Sequence, residues 1–545
     1  MPRLRGGEAV VKSLIALGVD TIFGLPGFQN DYLFNALYDH RDKIRLIHTR
    51  HEQGAAYMAM GYALSLGKPG VYSVVPGPGF LNSTAALSTA YATNAQVLCL
   101  AGQIPSAYIG RKVGLLHEIP DQLGILRSLT KWAEQVDKPE DAPALVTEAF
   151  SQLLSGRPRP VGLQIPMDIL SKQGEVDLTD LKPEIRRPAV DSDAIEEAAK
   201  LLGKAKNPMI VVGSGAFHAG EELAQLAEAL QAPVIAGRNG AGALSSRHYL
   251  SLPHPGGYQL WEKVDVVIGV GAHMYYPLFT WGWDEKLKIV RIDIDPEAHD
   301  AIAPSDVRLV ADSKEALQAL LPRLERYNSV RPSRREEIQA YRVETEKLFA
   351  QLEPQMSFVK VIREVLPDDG IFVGEVTQIG YAAGMAMPVY QPRTYIATGY
   401  QGTLGYGFAT ALGVKIGNPD KPVLAVSGDG GFMYNVQELA TAVKHRIGLV
   451  TLVFNDNAFG NVRRMQKNLY DEHFIGSDLS NPDFVKLAET YGAQGLRAES
   501  PEELRGAIQR GFAEPGPTLI EIPVSEMPDP WKIRNMPRIR GPKRA

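Results

Sequence analysis

Val423-Leu424-Ala425-Val426-Ser427 runs directly into Gly428-Asp429-Gly430-Gly431-Phe432, and Asn455-Asp456-Asn457-Ala458 closes the next apolar run. The interval between Asp429 and Asp456 fits one helix, expected over 435–444, and one strand, expected over 449–454. Both polar turns then emerge at the same edge of a parallel sheet, where ligands of open α/β sheets bind. The glycines let a backbone approach a phosphate closely, and a helix start behind them offers unpaired N–H groups. Asp429 and Asp456 offer hard oxygens of the kind Mg²⁺ takes together with waters and phosphates. Gly-Asp-Gly alone is a common turn. The second acidic turn at this spacing makes it a candidate metal and diphosphate site.

Outward from this point, short apolar runs alternate with helical patterns along the whole chain, as in parallel sheets covered by helices. Helices are expected over 8–17, from 52 through 63, and over 82–92, with strands at 21–24, 71–75, 96–100 and 162–166. The polar stretch 173–188, with Pro183 and Pro188, reads as a linker. A middle set of strands follows at 209–213, 233–235, 264–270 and 289–295. The charged stretch 323–347 reads as a solvated helix joining domains, and a last set of strands lies at 371–373, 423–426, 449–454 and 518–521. The expected fold is α/β with three doubly wound parallel-sheet domains at 1–172, 189–322 and 350–524, and a C-terminal tail over 525–545 without regular structure. The first and last domains share a layout.

At 545 residues the chain exceeds what one core organises, and 45% hydrophobic with 22% charged residues is ordinary for a soluble protein. A formal net charge of −5, without a basic block, argues against nucleic acid as a partner. No stretch approaches the roughly 18 apolar residues of a membrane helix, and the first residues lack a signal-peptide core, so a cytoplasmic location is expected. The single cysteine, Cys99, sits in an apolar run and reads as a buried structural thiol.

With these turns in view, the chain resembles the thiamine-diphosphate enzymes, among them acetolactate synthase, benzoylformate decarboxylase and benzaldehyde lyase. The resemblance implies pyrimidine-binding, central and diphosphate-binding domains in that order. It implies Mg²⁺ bound by the Asp429 and Asp456 side chains and the Ala458 carbonyl, with Gly428, Gly430 and Gly431 near the diphosphate. Most relatives carry asparagine where this chain has Asp456; the carboxylate remains a good Mg²⁺ ligand. His51-Glu52-Gln53-Gly54-Ala55-Ala56 resembles the catalytic-glutamate segment, which implies that Glu52 hydrogen-bonds the aminopyrimidine ring and activates the thiazolium carbon. The bland alternative is a glutamate that favours the positive end of its own helix. Gly402-Thr403-Leu404-Gly405 resembles the loop that bends the cofactor, with Leu404 as the wedge and the Gly402 carbonyl as an acceptor for the amino group. Val376, Thr377 and Gln378, after another strand end, are candidate diphosphate neighbours.

Within the family, Gly77-Pro78-Gly79 with Asn82, and Gly102-Gln103-Ile104-Pro105, look most like acetolactate synthase, and Asn82 joins the candidate cofactor contacts. His117 stands where that enzyme carries glutamine, and Gln29 where benzaldehyde lyase carries histidine; Glu52, Gln29, Gln103 and His117 are the candidate catalytic set. Val75-Pro76 replaces a histidine-containing pair of benzoylformate decarboxylase. The implied activity makes or cleaves a carbon–carbon bond beside the carbonyl of a 2-oxo acid or 2-hydroxy ketone. A nonoxidative 2-oxo acid decarboxylase and a non-catalytic cofactor-binding scaffold are the alternatives. Gly213-Ser214-Gly215 lacks the third glycine of a dinucleotide fingerprint, which disfavours a nicotinamide oxidoreductase. Gly271-Ala272-His273-Met274-Tyr275-Tyr276 lacks the charged flavin partners of acetolactate synthase, so no FAD is expected. The resemblance further implies a site shared between subunits, hence at least a homodimer, with a homotetramer common in the family. The tail, with Trp531, Arg534 and Arg538, leaves a lid over the site and a packed or disordered tail equally open.

Overall fold

The computed structural model describes residues 1–237 and 239–541, which form two compact units. Pro542 and the last three positions of the expected tail lie outside the described residues. The first unit takes in residues 1–186, 398–498 and 506–523, and the second 187–397, 499–505 and 524–545.

The first unit begins with a six-stranded parallel sheet in the order Arg45–His48, Thr21–Gly24, Gly70–Val74, Val97–Gln103, Val161–Pro166, Trp132–Gln135. The chain runs outward from Thr21–Gly24 to Arg45–His48 and then returns to Gly70–Val74. The loops after Thr21–Gly24 and Gly70–Val74 therefore flank a topological switch point, the place where such sheets hold ligands. A second parallel set in this unit runs Val423–Gly428, Val450–Asn455, Thr518–Pro523, Gln494–Arg497. Between the two sheets lie the helices Glu52–Leu66 and Gly407–Gly417, both rich in alanine and glycine and buried on nearly every side. A side chain added at Gly61 would meet the Thr410 carbonyl oxygen at 2.0 Å, and one at Gly413 the Met58 carbonyl oxygen at 1.9 Å. Small residues here set the close approach of the two helices.

The second unit is built on a five-stranded parallel sheet in the order Val234–Ala236, Pro208–Val212, Val266–Val270, Lys288–Asp293, Val307–Val310. It also carries the parallel pair Ile371–Gly374 and Tyr395–Ile396. The tail is tied down within this unit. Among its described residues it forms a helical turn, Trp531–Arg534, and Arg534 Nε donates to the Tyr276 hydroxyl at 3.0 Å. The buried Arg540 donates to the Trp261 and Glu262 carbonyls at 2.9 and 2.7 Å.

Several expectations need correction. The linker at 173–188 begins as a strand: Gln173–Glu175 pairs antiparallel with Arg3–Arg5, burying Leu4 and Gly174. The helix expected at 82 starts at Pro78, whose fixed φ and missing N–H suit a first helical position. The charged stretch 323–347 is two helices, Ser313–Leu324 and Arg335–Phe349. The break between them lets Arg331 cap the helix Ser192–Lys204 by donating to the Leu202, Gly203 and Ala205 carbonyls, a use that charge pattern alone does not show. The helix expected at 435–444 is a tight turn, Val436–Glu438, followed by the helix Leu439–Lys444. Strands Val307–Val310, Tyr395–Ile396 and Gln494–Arg497 were not expected, being too short or too polar to register. Cys99 is buried, and burial pushes its thiol up to about 12. Among the described residues no helix is long and apolar enough to cross a membrane.

At the C-terminal end of Leu439–Lys444, His445 Nε2 lies 3.3 Å from His48 Nδ1, and Lys444 Nζ lies 3.2 Å from His48 Nε2. Burial and the Lys444 charge lower His48; burial, then the charges of His48, Arg45 and Lys444, bring His445 down to about 4. Burial favours the neutral form of both rings, and the contribution of His445 is complete above about 6.5 and is lost as pH falls toward about 4. Urea unfolding at about pH 7.5 and about pH 5 is expected to show a lower acid midpoint, with a smaller difference in His445→Gln.

Candidate active site

The loops at the C-terminal edge of the first sheet carry the candidate catalytic residues. Glu52 is the first residue of its helix and is 8% exposed, and its Oε2 accepts a hydrogen bond from Asn82 Nδ2 at 3.0 Å. The His51 side chain caps the helix by accepting from Gln53 N. Asn82 projects from the helix Pro78–Ala92, whose entry depends on Gly77 at φ +57. A side chain at Gly77 would meet the His117 carbonyl oxygen at 2.4 Å. The expected glycine turn is thus also the seat of the His117 loop.

Gln29 and His117 form a pair. Gln29 Nε2 donates to the Leu116 carbonyl at 2.9 Å, and its Oε1 lies 2.9 Å from His117 Nδ1. An amide oxygen only accepts, so Nδ1 carries the proton and Nε2 of the neutral ring is the basic nitrogen. His117 sits at φ +67, a left-handed conformation that costs about 1–3 kcal/mol for a non-glycine residue. Gln103 is placed differently from its candidate role. Its Nε2 donates to Gln164 Oε1 at 3.0 Å and its Oε1 accepts from Ile104 N at 2.8 Å, which makes it a buried brace. Gln122, which sequence reading missed, completes that brace by bonding Gly77 N, the Gly102 carbonyl and Gln164.

The diphosphate–metal candidates lie at the ends of Val423–Gly428 and Val450–Asn455. Asp429 opens a helical turn, Asp429–Phe432, at once, so the N–H groups of Gly430 and Gly431 belong to its first turn. Asn481, a further residue missed from sequence, donates from Nδ2 to the Asp429 carboxylate at 2.6 Å and also to the side-chain Oδ1 atoms of Asn455 and Asn457. Asp456 Oδ1 accepts from Ala458 N at 3.3 Å. Burial raises Asp429; burial, then the charge of Asp429, pushes Asp456 up to about 6. A buried carboxylate, Asp429, and a half-buried one, Asp456, which the charge of Asp429 raises, form a donor set suited to a hard divalent cation. Among the described residues no three His, Cys, Asp or Glu side chains converge, so further ligands would be backbone carbonyls, water or phosphate, the mixture Mg²⁺ prefers.

Gly402 is at φ +59 and Leu404 is half-buried in the loop that leads into Gly407–Gly417. Asn435 Nδ2 ties this loop down through the Gly405 carbonyl at 2.6 Å. Thr377 is the cap of the helix Gln378–Ala386 in the second unit.

Parallel sheets whose edges carry an acid-bearing glycine turn and a buried helix-initial glutamate have the form of a site for a phosphorylated ligand. Comparison with known proteins narrows this to one family. The model of the N-terminal TPP binding domain of thiamine pyrophosphate enzymes matches residues 4–125, the central-domain model 195–320, and the C-terminal TPP binding domain model 375–522. The chain is 36% identical over 533 residues to the probable 2-ketoarginine decarboxylase AruI of Pseudomonas aeruginosa, covering 95% of this chain and 94% of the relative. It is 32% identical to a probable acetolactate synthase large subunit of Methanocaldococcus jannaschii, covering 95% and 92%. It is 30% identical to the acetolactate synthase isozyme 3 large subunit of Escherichia coli, covering 94% and 93%. The chain belongs to the thiamine pyrophosphate enzyme family, and it is a thiamine-diphosphate-dependent enzyme of the acetolactate synthase-like kind.

Proposed function

We propose that this enzyme breaks the carbon–carbon bond beside the carbonyl of a 2-oxo acid and passes the resulting fragment to a second carbonyl, as a carboligase. The observation that carries the reading is the buried Glu52 carboxylate, held by Asn82 at the C-terminal edge of the first sheet. Thiamine diphosphate supplies the carbanion nucleophile and the electron sink when bound. Glu52 holds a proton at the aminopyrimidine ring nitrogen. Asn82 orients that carboxylate. Asp429, Asp456 and the Ala458 carbonyl would hold Mg²⁺, and the Gly428–Gly431 backbone would supply N–H groups to the diphosphate. Leu404 and the Gly402 carbonyl would line the cofactor on the other side. The raised Asp429–Asp456 pair supports this fit, since a divalent cation relieves its repulsion.

A second reading, a nonoxidative decarboxylase, is favoured by one feature of the pocket. His117 Nδ1 is committed to Gln29, so Nε2 is left to carry a proton to and from a substrate. Likeness to AruI, named as a 2-ketoarginine decarboxylase, points the same way. Both readings are tested by giving the purified protein thiamine diphosphate, Mg²⁺ and a panel of 2-oxo acids, including pyruvate and 2-ketoarginine, and following products by proton NMR. A coupled hydroxy-keto product establishes the ligase; free aldehyde with no coupled product establishes the decarboxylase. In the decarboxylase case His117→Asn is expected to cut aldehyde release by roughly 100-fold, the lower end of the range for a positioned proton donor. No turnover and no exchange of the cofactor C2 proton would leave the scaffold reading.

The site is shared between the first domain of one subunit and the third of another, so the working species is at least a homodimer and commonly a tetramer. The domain division is 1–172, 189–322 and 350–524. FAD is no part of it: the Gly213 and Gly215 N–H groups are spent on the Val270 and Gly271 carbonyls, which leaves that turn few donors for a pyrophosphate. A cytoplasmic location agrees with a family that acts on small metabolites.

A further inference from the structure

Glu438 is a fully buried carboxylate that the chemistry above does not use. It ends the turn Val436–Glu438 at the head of the helix Leu439–Lys444. Its Oε1 accepts from Arg50 N at 3.1 Å and His51 N at 3.0 Å. Its Oε2 accepts from Arg50 N at 3.1 Å and from Thr441 Oγ1 at 2.6 Å. Arg50 and His51 are the two residues before Glu52, at a helix start where backbone N–H groups have no partner within the helix.

The rest of the same short stretch grips the same segment. His445 and Lys444 reach His48 on one side, and Asn435 Nδ2 reaches Gln53 Oε1 at 3.2 Å on the other. Residues 435–445 therefore bracket the backbone from His48 to Gln53, and they follow directly on the Asp429–Phe432 turn. Gly54 fits this arrangement for a steric reason. A Cβ there would lie 2.6 Å from Glu438 Oε1 and 2.8 Å from its Cδ, so any side chain displaces the carboxylate.

We propose that Glu438 is a positioning residue for Glu52: by accepting the Arg50 and His51 amides it sets the direction in which the Glu52 carboxylate is presented, and it ties that direction to the diphosphate–metal turn of its own chain. The proposal rests on Glu52 being the residue that activates the cofactor.

Three variants separate this role from simple packing and from proton transfer. Glu438→Gln keeps an oxygen for both amides and can give Thr441 an N–H, but it cannot ionise. Glu438→Met fills the volume and accepts nothing. Gly54→Ala leaves every hydrogen-bonding group in place and moves the carboxylate. The readout is hydrogen–deuterium exchange at the cofactor C2, by quench and NMR, at saturating thiamine diphosphate and Mg²⁺, with cofactor affinity and thermal midpoint measured alongside. Glu438→Gln is expected to exchange within about threefold of wild type, and Glu438→Met and Gly54→Ala roughly 10–100-fold more slowly at unchanged cofactor affinity, the scale of a displaced catalytic group. Alanine favours a helix interior over glycine, so slow exchange in Gly54→Ala cannot be assigned to a weaker helix, and this variant decides the matter if Glu438→Met does not fold. Wild-type exchange in Gly54→Ala, or Glu438→Gln as slow as Glu438→Met, overturns the proposal. Glu52→Gln is the control: if exchange survives in it, the reading of Glu52 fails, and if exchange is lost there but normal in Glu438→Met and Gly54→Ala, the positioning role alone fails.

Discussion

With glutamine in place of Glu52, turnover of any accepted substrate is expected to fall by roughly 10²–10⁴-fold, about 3–5 kcal/mol of activation free energy. Glutamine has the same shape, and its amide oxygen can still accept from Asn82, so the helix Glu52–Leu66 and its packing on Gly407–Gly417 should persist. What is lost is the charge. A carboxylate can take and return a proton at the aminopyrimidine ring, whereas an amide can do neither. Cofactor affinity should change far less than turnover, because Asp429, Asp456 and the glycine turn are untouched. Asn82→Ala leaves the carboxylate but frees its orientation, so a smaller loss, on the order of tenfold, is expected. Steady-state rates with saturating cofactor, set beside the C2 exchange rate, check both. Turnover of Glu52→Gln within tenfold of wild type would remove Glu52 from the chemistry.

The parallel-sheet architecture was legible because buried strands such as Val423–Gly428 and Val266–Val270 are near-continuous runs of β-branched and aliphatic residues ended by glycine. Glu52 and Asp429 were legible for a related reason: each sits at a strand or helix end, where local sequence dictates geometry. The residues that escaped reading act at a distance. Glu438 serves residues 50 and 51 from the far end of the chain, and its surroundings, Gln437 and Leu439, give no local sign of this. The one local trace was Gly54 within an otherwise good helix-forming segment, where a glycine costs stability unless something needs the space. Gln103 shows the converse limit of local reading. A polar residue at a strand end beside a glycine resembles a site residue, but here its amide faces Gln164 and closes a buried network with Gln122. The charged stretch 323–347 failed in the same way: arginines that read as solvated are drawn onto helix-end carbonyls, as Arg331 is.

Asp429→Ala is expected to weaken Mg²⁺ binding by at least roughly 100-fold and to abolish activity at ordinary cofactor concentrations, since losing even a residue that supports a ligand costs 10–100-fold. Asp456→Asn should behave otherwise, because its oxygen can still ligate. Its signature is in the pH dependence. In the metal-free protein Asp456 is pushed up to about 6 by burial and by Asp429, so below that pH it is protonated and the metal must displace the proton. Wild-type affinity for Mg²⁺ is therefore expected to be flat above about pH 6 and to fall by up to tenfold per unit below it. Asp456→Asn removes that proton, so its affinity should hold to lower pH. The stability linkage has a definite sign. A carboxylate raised in the fold costs stability as pH climbs from its unfolded value through about 6, so metal-free Asp456→Asn should gain thermal stability over wild type, more at pH 7 than at pH 5, and Mg²⁺ should narrow the gap. Titration calorimetry and thermal melts at the two pH values, with and without Mg²⁺, measure both effects. Parallel pH profiles for wild type and Asp456→Asn would show that this carboxylate does not meet the metal.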